Sequence, residues 1–344
     1  MCLQIRQSRF FESGLYVDSE TLVEKARVFF SGREDSMNIL ISLGLVVLGF
    51  ALLVKGADFF VDGASGIASR FGIPQLVIGL TIVAMGTSLP EAAVSITAAF
   101  KGSAGITIGN IVGSNILNVS IILGLASVII PIAVQKSTVK YEMPFMMAVT
   151  LLLVLLGMDG KISRLDGAIL WACFLLYLYY IYRMTKNGKE EQAADALPLA
   201  KSILFVLLGA VGVVLGSDFA VDGASELARI FGMSERFIGL TIVALGTSLP
   251  ELVTSVSAAR KGNADIAIGN IVGSNLFNIL FVVGTSSLII PVPFNPRFIV
   301  DGLMALVVGL VLWLCVRKNY QLTRKHGIIL LILYVFYFLY LCTF

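Results

Sequence analysis

Two glutamates, Glu91 and Glu251, stand deep inside long apolar stretches, and no Lys or Arg lies at matching depth. If those stretches cross a bilayer, a carboxylate left facing lipid would cost on the order of 2.5–3.5 kcal/mol. Such a group faces a cavity and is paired, and with no basic residue to pair it the missing counter-charge reads as a bound cation. The competing reading is a protonated, hydrogen-bonded structural glutamate. Each glutamate follows a proline, Pro90 or Pro250, at the end of Gly-Thr-Ser-Leu-Pro-Glu. Proline has no N–H and clashes with the carbonyl four residues back, here Gly86 and Gly246. The helix is expected to bend or break there, freeing the carbonyls of Ala84, Gly86 and Thr87 and of Ala244, Gly246 and Thr247. In lipid, free carbonyls are tolerated only where they line a cavity or are otherwise satisfied. Carbonyl and carboxylate oxygens are hard ligands, suited to Ca²⁺, Na⁺ or Mg²⁺. A kink serving packing alone is the alternative.

A second motif accompanies each glutamate. Gly109-Asn-Ile-Val-Gly113-Ser114-Asn115 leads to Asn118, and Gly269-Asn-Ile-Val-Gly273-Ser274-Asn275 leads to Asn278. Gly109 with Gly113, and Gly269 with Gly273, form glycine pairs that let helices approach closely. Ser114 and Asn118 are four residues apart and share a helix face, so close approach would set neutral oxygens beside Glu91. Two ionised glutamates carry a charge of −2, which one Ca²⁺ or two Na⁺ would balance. A site that takes either but not both is an exchanger by competition.

The elements that must position these groups follow from a repeat. Residues 79–118 and 239–278 are identical at 28 of 40 positions, and Glu91 and Glu251 stand 160 residues apart, as do Asn118 and Asn278. The match reaches upstream, where Asp58, Asp62 and Ser65 parallel Asp218, Asp222 and Ser225. Only 14% of residues are charged and 57% are hydrophobic, against roughly 25% charged in a soluble domain. That excludes most soluble enzymes, and a net charge of +3 with no basic stripe gives no reason to expect nucleic acid. Apolar runs at 38–56, 74–99, 104–130, 142–157, 165–184, 201–217, 234–259, 264–290, 297–316 and 326–343 predict ten spans. Glu91 falls in span two and Glu251 in span seven. A shift of five spans is odd, so the second copy runs inverted through the membrane, as in many secondary transporters. The expected fold is an all-α polytopic membrane protein of ten transmembrane helices in a 5+5 inverted-topology repeat.

Residues 1–36 read as a polar, dispensable N-terminal extension, with a misassigned start as one version of that reading, 37–184 as the first repeat, 185–200 as a short linker and 201–344 as the second repeat. Twelve basic residues lie in loops opposite the termini and six on the termini's side, leaving the extension aside. This bias places the termini outside and the 185–200 loop in the cytoplasm of a multi-pass protein of the cell membrane. Asp58, Asp62, Asp218 and Asp222 are expected near span ends, capping or hydrogen-bonding adjacent helices. There is no phosphate-binding loop, so ATP-driven pumping has no support.

The paired motifs GTSLPE and GNIVGSN, inverted in two halves, resemble the alpha-repeats of the cation/Ca²⁺ exchanger superfamily, and most of all its prokaryotic Na⁺/Ca²⁺ exchangers. The resemblance covers nearly all of residues 37–344. It implies four cation sites in a mid-membrane diamond. Ca²⁺ would be held by the carboxylates of Glu91 and Glu251 and the carbonyls of Thr87 and Thr247. Na⁺ would be held by Ala84, Ser88 and Ser114 on one side and Ala244, Ser248 and Ser274 on the other, with Asn118 and Asn278 completing the centre. Some relatives carry aspartate where this chain has Asn278, and in potassium-dependent relatives that aspartate is linked to K⁺; the resemblance therefore implies K⁺ independence here. The large regulatory domain of animal exchangers has no room between spans five and six. The implied activity is Na⁺/Ca²⁺ antiport by alternating access, with no cofactor beyond the transported ions. The alternatives are an H⁺/Ca²⁺ exchanger using the same glutamates and a cation channel with a glutamate ring. An intramembrane hydrolase would need a nucleophile–base pair or a metal-binding His motif, and none is visible.

Overall fold

The computed structural model describes residues 19–187, 197–232 and 244–343, with side chains from residue 38. Almost everything described is helical, because a backbone in lipid must satisfy its own hydrogen bonds. Eight helices among the described residues are long and apolar enough to span a membrane, and the bent pair Gln75–Thr87 and Leu89–Phe100 makes a ninth. The tenth, span seven, is described over Ala244–Thr247 and Leu249–Arg260. Its start at residues 234–243 lies outside the described residues, as does most of the 185–200 linker.

Spans one and six differ from the sequence expectation. Span one forms one helix over Ser19–Phe71, with an apolar stretch of 34 residues at Asn38–Phe71, and span six runs over Leu199–Ile230. The expected ends at residues 56 and 217 stop just short of Asp58 and Asp218. The helices continue past them, so Asp58, Asp62, Asp218 and Asp222 sit within the helices. The helical backbone of span one also runs through residues 19–36. Span four begins at Thr138, four residues earlier than expected, and spans three, five, eight, nine and ten are Ala104–Ile129, Arg164–Asn187, Ala264–Ile289, Arg297–Val316 and Arg324–Thr343.

Spans one and six form a long antiparallel pair lined by glycine at seven-residue intervals on both sides. A Cβ on Gly49 would meet the backbone of Ala220 at 2.5 Å, and one on Gly56 the backbone of Val213 at 2.7 Å. Gly63 lies against Ser202 and Val206 in the same way. From the other side, Gly209, Gly216 and Gly223 abut Phe60, Leu53 and Val46. Small residues let transmembrane backbones touch, which is where the dispersion energy of such a pair resides.

Two short antiparallel ribbons fix the inversion. β1 (Ile132–Ala133), between spans three and four, pairs with β4 (Gln321–Leu322), between spans nine and ten. β2 (Lys161–Ile162) pairs with β3 (Val292–Pro293) at the other end of the molecule. A shift of 160 residues carries β1 onto β3 and β2 onto β4, so each ribbon is the image of the other. Even side chains repeat: Arg164 donates to the Ile289 carbonyl at 3.0 Å, and Arg324 to that of Ile129 at 3.4 Å. Spans two, three, seven and eight are wrapped by the others. Among the eight continuous spans described, span eight is the most enclosed, with 94% of its apolar window buried.

Candidate functional site

The proline motif breaks span two where the sequence predicts. The helix Ala84–Thr87 ends at Ser88 (φ −84°, ψ 10°), Leu89–Phe100 starts again with Pro90 in its first turn, and the two parts bend by 52°. Span seven repeats this at Ser248 (φ −94°, ψ 1°) with Pro250. Each glutamate therefore sits in the first turn of a half-helix, aimed inward. Glu91 is 1% exposed and Glu251 0%.

The two halves meet at these carboxylates. Ser88 Oγ donates to Glu251 Oε1 at 2.9 Å, crossing from one repeat to the other. Ser114 Oγ donates to Glu91 Oε1 at 3.4 Å. Ser88 stands three residues before Glu91, so its bond joins the turn bearing one carboxylate to the other carboxylate. Below them the asparagines form a reciprocal cross-brace between spans three and eight. Asn115 Nδ2 donates to the Asn275 carbonyl and Asn275 Nδ2 to the Asn115 carbonyl, each at 3.1 Å. Asn118 Nδ2 donates to Asn275 Oδ1 at 3.0 Å, and Asn278 Nδ2 to Asn115 Oδ1 at 3.1 Å. Each of the four amide nitrogens donates within the brace, and Asn275 Nδ2 also reaches Met146 Sδ at 3.7 Å. Four buried oxygens are left with no hydrogen-bond partner: Glu91 Oε2, Glu251 Oε2, Asn118 Oδ1 and Asn278 Oδ1. Buried polar atoms are nearly always partnered, and a matched set of bare oxygens from both repeats is the donor set a hard cation takes. Ser248 Oγ is buried and unpartnered as well.

The remaining expected groups are distributed less evenly. The Ala84 carbonyl is not free. It accepts from Ser88 N at 3.1 Å, Thr87 Oγ1 at 3.3 Å and Ser274 Oγ at 3.3 Å. Ser274 thus reaches span two, whereas Ser114 reaches its own repeat's glutamate. The Gly246 carbonyl, also expected free, accepts from Ser217 Oγ at 2.7 Å. Pro250 removes the N–H that would have answered Gly246, and the Ser217 hydroxyl replaces it. Thr87 Oγ1 also bonds Asn270 Oδ1 at 3.0 Å. Thr247 is partly exposed, and Ala244 is described by its backbone alone. Gly269 and Gly273 do bring span eight onto span two: a Cβ on Gly273 would meet Ala84 Cβ and the Leu80 carbonyl at 2.7 Å. For Gly109 and Gly113 the equivalent neighbour is the start of span seven, outside the described residues. Gly86 gives room to the Phe60 ring and Gly246 to Val221.

Several residues escaped sequence reasoning. Asn110 and Asn270 brace the break, donating to the carbonyls of Glu91 and Glu251 at 3.3 and 3.4 Å and to Ser95 and Ser255 at 2.9 Å. Their presence in both motif copies was the available signal. Asn118 and Asn278 each open a π-helical segment, a local widening frequent at functional sites. Nor are Glu91 and Glu251 the only buried carboxylates. Glu142 is 1% exposed and accepts from the Tyr180 hydroxyl. Its place at the start of an apolar run made it look like a span boundary.

Comparison with known proteins gives a consistent result. A family model described as sodium/calcium exchanger protein matches residues 41–183 and 201–343. The inner membrane protein YrbG of Escherichia coli is 37% identical over 306 residues, covering 85% of this chain and 94% of that protein. The sodium/calcium exchanger MaX1 of Methanosarcina acetivorans is 31% identical over 341 residues, covering 86% and 97%. Among solved structures, the sodium-calcium exchanger NCX_Mj soaked with zero Na⁺ and Ca²⁺ superposes with a TM-score of 0.77 at 34% identity, covering 88% of this chain and 99% of that one.

Proposed function

The chain belongs to the sodium/calcium exchanger family, whose members are membrane transporters and not enzymes, and on that premise we propose that it exchanges Na⁺ for Ca²⁺ at one shared site between its two halves, exporting Ca²⁺. The observation that carries this reading is the set of four buried, unpartnered oxygens contributed pairwise by Glu91, Asn118, Glu251 and Asn278. Two carboxylates with neutral oxygens around them balance one Ca²⁺ or two Na⁺, so occupancy by one ion excludes the other. Ser88, Ser114, Ser248 and Ser274, with the carbonyls of Thr87 and Thr247 and those at Ala84 and Ala244, are the neutral ligands for the smaller charge. Ser88 and Ser114 spend their protons on carboxylates here, and their lone pairs stay available. With Asn at 278, no third carboxylate is present to call for K⁺.

Transport requires that the site open to one side at a time. An inverted repeat supplies two conformations of opposite sidedness from one set of contacts. The glycine-lined pair of spans one and six is built to move as a unit against the bundle. In this reading the termini lie outside and the linker near residues 185–200 in the cytoplasm, with residues 1–36 dispensable for exchange.

The test is ⁴⁵Ca²⁺ uptake by purified protein in proteoliposomes. Uptake should follow an outward Na⁺ gradient and be lost in Glu91→Gln and in Glu251→Gln. Uptake indifferent to Na⁺ and driven by a pH gradient would establish proton coupling instead, with the same glutamates carrying the protons.

A further inference from the structure

Among the described residues the two halves are not in the same conformation, and one set of side chains at their ends differs most plainly. At the end of the molecule bearing the loop after span seven, Lys261 Nζ lies 2.7 Å from Asp62 Oδ1, 3.6 Å from Asp58 Oδ1 and 2.8 Å from the Asp58 carbonyl. Ser257 Oγ donates to Asp58 Oδ1 at 2.7 Å, and Asn263 Nδ2 to Ser65 Oγ at 2.9 Å. Span one is thereby clamped along the second half of span seven. Shifted by the repeat, the same contacts would join Asp218 to Thr97, Asp222 to Lys101 and Ser225 to Ser103, at the opposite end. Among the described residues none of these is formed. Asp218, Asp222, Thr97, Lys101 and Ser103 are all exposed, and Thr97, Lys101 and Ser103 line an open groove of about 460 Å³ along span two.

We propose that these two clusters are alternating latches: Lys261 with Asp58 and Asp62 closes one face of the protein, Lys101 with Asp218 and Asp222 closes the other, and the paired spans one and six release one latch as they engage the other. The occupant of the span-two groove is then the segment of span six holding Asp218, Asp222 and Ser225. Its acidic side chains complement Lys101 as those of span one complement Lys261. Because spans one and six touch backbone to backbone along their length, displacement of one carries the other, so both latches cannot close together. This rests on the exchanger reading above for its purpose but not for its geometry. Each partly exposed ion pair biases the two states only slightly, by roughly two- to fivefold, as a latch that must open on every cycle requires.

The test uses the full chain in proteoliposomes with Cys2, Cys173, Cys315 and Cys342 replaced by alanine. Asp58→Cys with Ser257→Cys, and separately Asp218→Cys with Thr97→Cys, are oxidised with copper phenanthroline, and the joined peptides are read by mass spectrometry. Both pairs should cross-link, each disulfide should stop exchange, and reductant should restore it. If the second pair fails to cross-link at every Na⁺ and Ca²⁺ concentration while the first succeeds, or if exchange persists with either disulfide closed, the proposal is wrong. Cross-linking needs no ion gradient, so a failure of Na⁺ coupling remains distinguishable. As a second readout, Thr97→Cys is labelled with a membrane-impermeant thiol reagent. Lys261→Met should lower labelling roughly two- to fivefold and Lys101→Met should raise it or leave it unchanged; equal shifts in one direction overturn the latch.

Discussion

Replacing Asn270 with alanine tests whether the neutral brace, and not the glutamates alone, builds the site. Asn270 is wholly buried. Its amide donates to Ser255 Oγ at 2.9 Å and to the Glu251 carbonyl at 3.4 Å, while its Oδ1 accepts from Thr87 Oγ1 at 3.0 Å. One side chain on span eight therefore ties together the broken turns of spans two and seven. Thr87 Oγ1 can turn its one proton to the Val83 or the Ala84 carbonyl and is not stranded. Ser255 is fully buried and loses its partner, which costs about 1–3 kcal/mol. The missing amide leaves a void in a layer where Ile266, Ile268 and Ile271 are fully packed, for a total of about 2–4 kcal/mol. Loss of a residue that orients ligands without touching the ion lowers metal affinity about 10- to 100-fold, and Asn270→Ala should fall in that range. The assay is equilibrium ⁴⁵Ca²⁺ binding in detergent beside thermal unfolding with and without Ca²⁺. The variant should unfold earlier and gain less from Ca²⁺ than the parent. Earlier unfolding with Ca²⁺ affinity within twofold of the parent would refute the reasoning, because the brace would then support the fold without setting the site.

Two further substitutions probe the packing that carries the site. Gly56→Leu places a side chain against the Val213 amide at 2.7 Å and the Gly212 carbonyl carbon at 2.8 Å, backbone atoms that cannot step aside; it should part spans one and six, lower the unfolding temperature in detergent and abolish exchange. Gly273→Ala presses on Ala84 and Leu80 at 2.7 Å, an overpacking of about 1–3 kcal/mol directed at the break in span two, and flux assays should show a larger loss than Gly44→Ala, where the added Cβ meets nothing within 4 Å.

Much of this protein was legible without coordinates. Proline before glutamate in an apolar run dictates a broken helix, because the missing N–H and the clash with the preceding turn are local facts. The repeat, with an odd number of spans between its copies, dictates an inverted fold, because each crossing reverses direction. The reach of span one was not legible, since the aspartates that seemed to end it find partners on another span: Asp58 and Asp62 are held by Ser257 and Lys261, some 200 residues away in sequence. Neither was the fate of the freed carbonyls. Ala84 keeps the Ser88 amide and gains Ser274, while Gly246 is answered by Ser217, and no rule of spacing says which hydroxyl arrives. The burial of Glu142 was likewise hidden, because its partner Tyr180 stands on a different helix. Sequence alone settled what is chemically present in each half, for that depends on neighbours along the chain and on the cost of charge in hydrocarbon. Tertiary structure alone decided which oxygens are left bare and which half is latched. Near-identical repeats obey the same local rules, and only the packing of one against the other can make them differ.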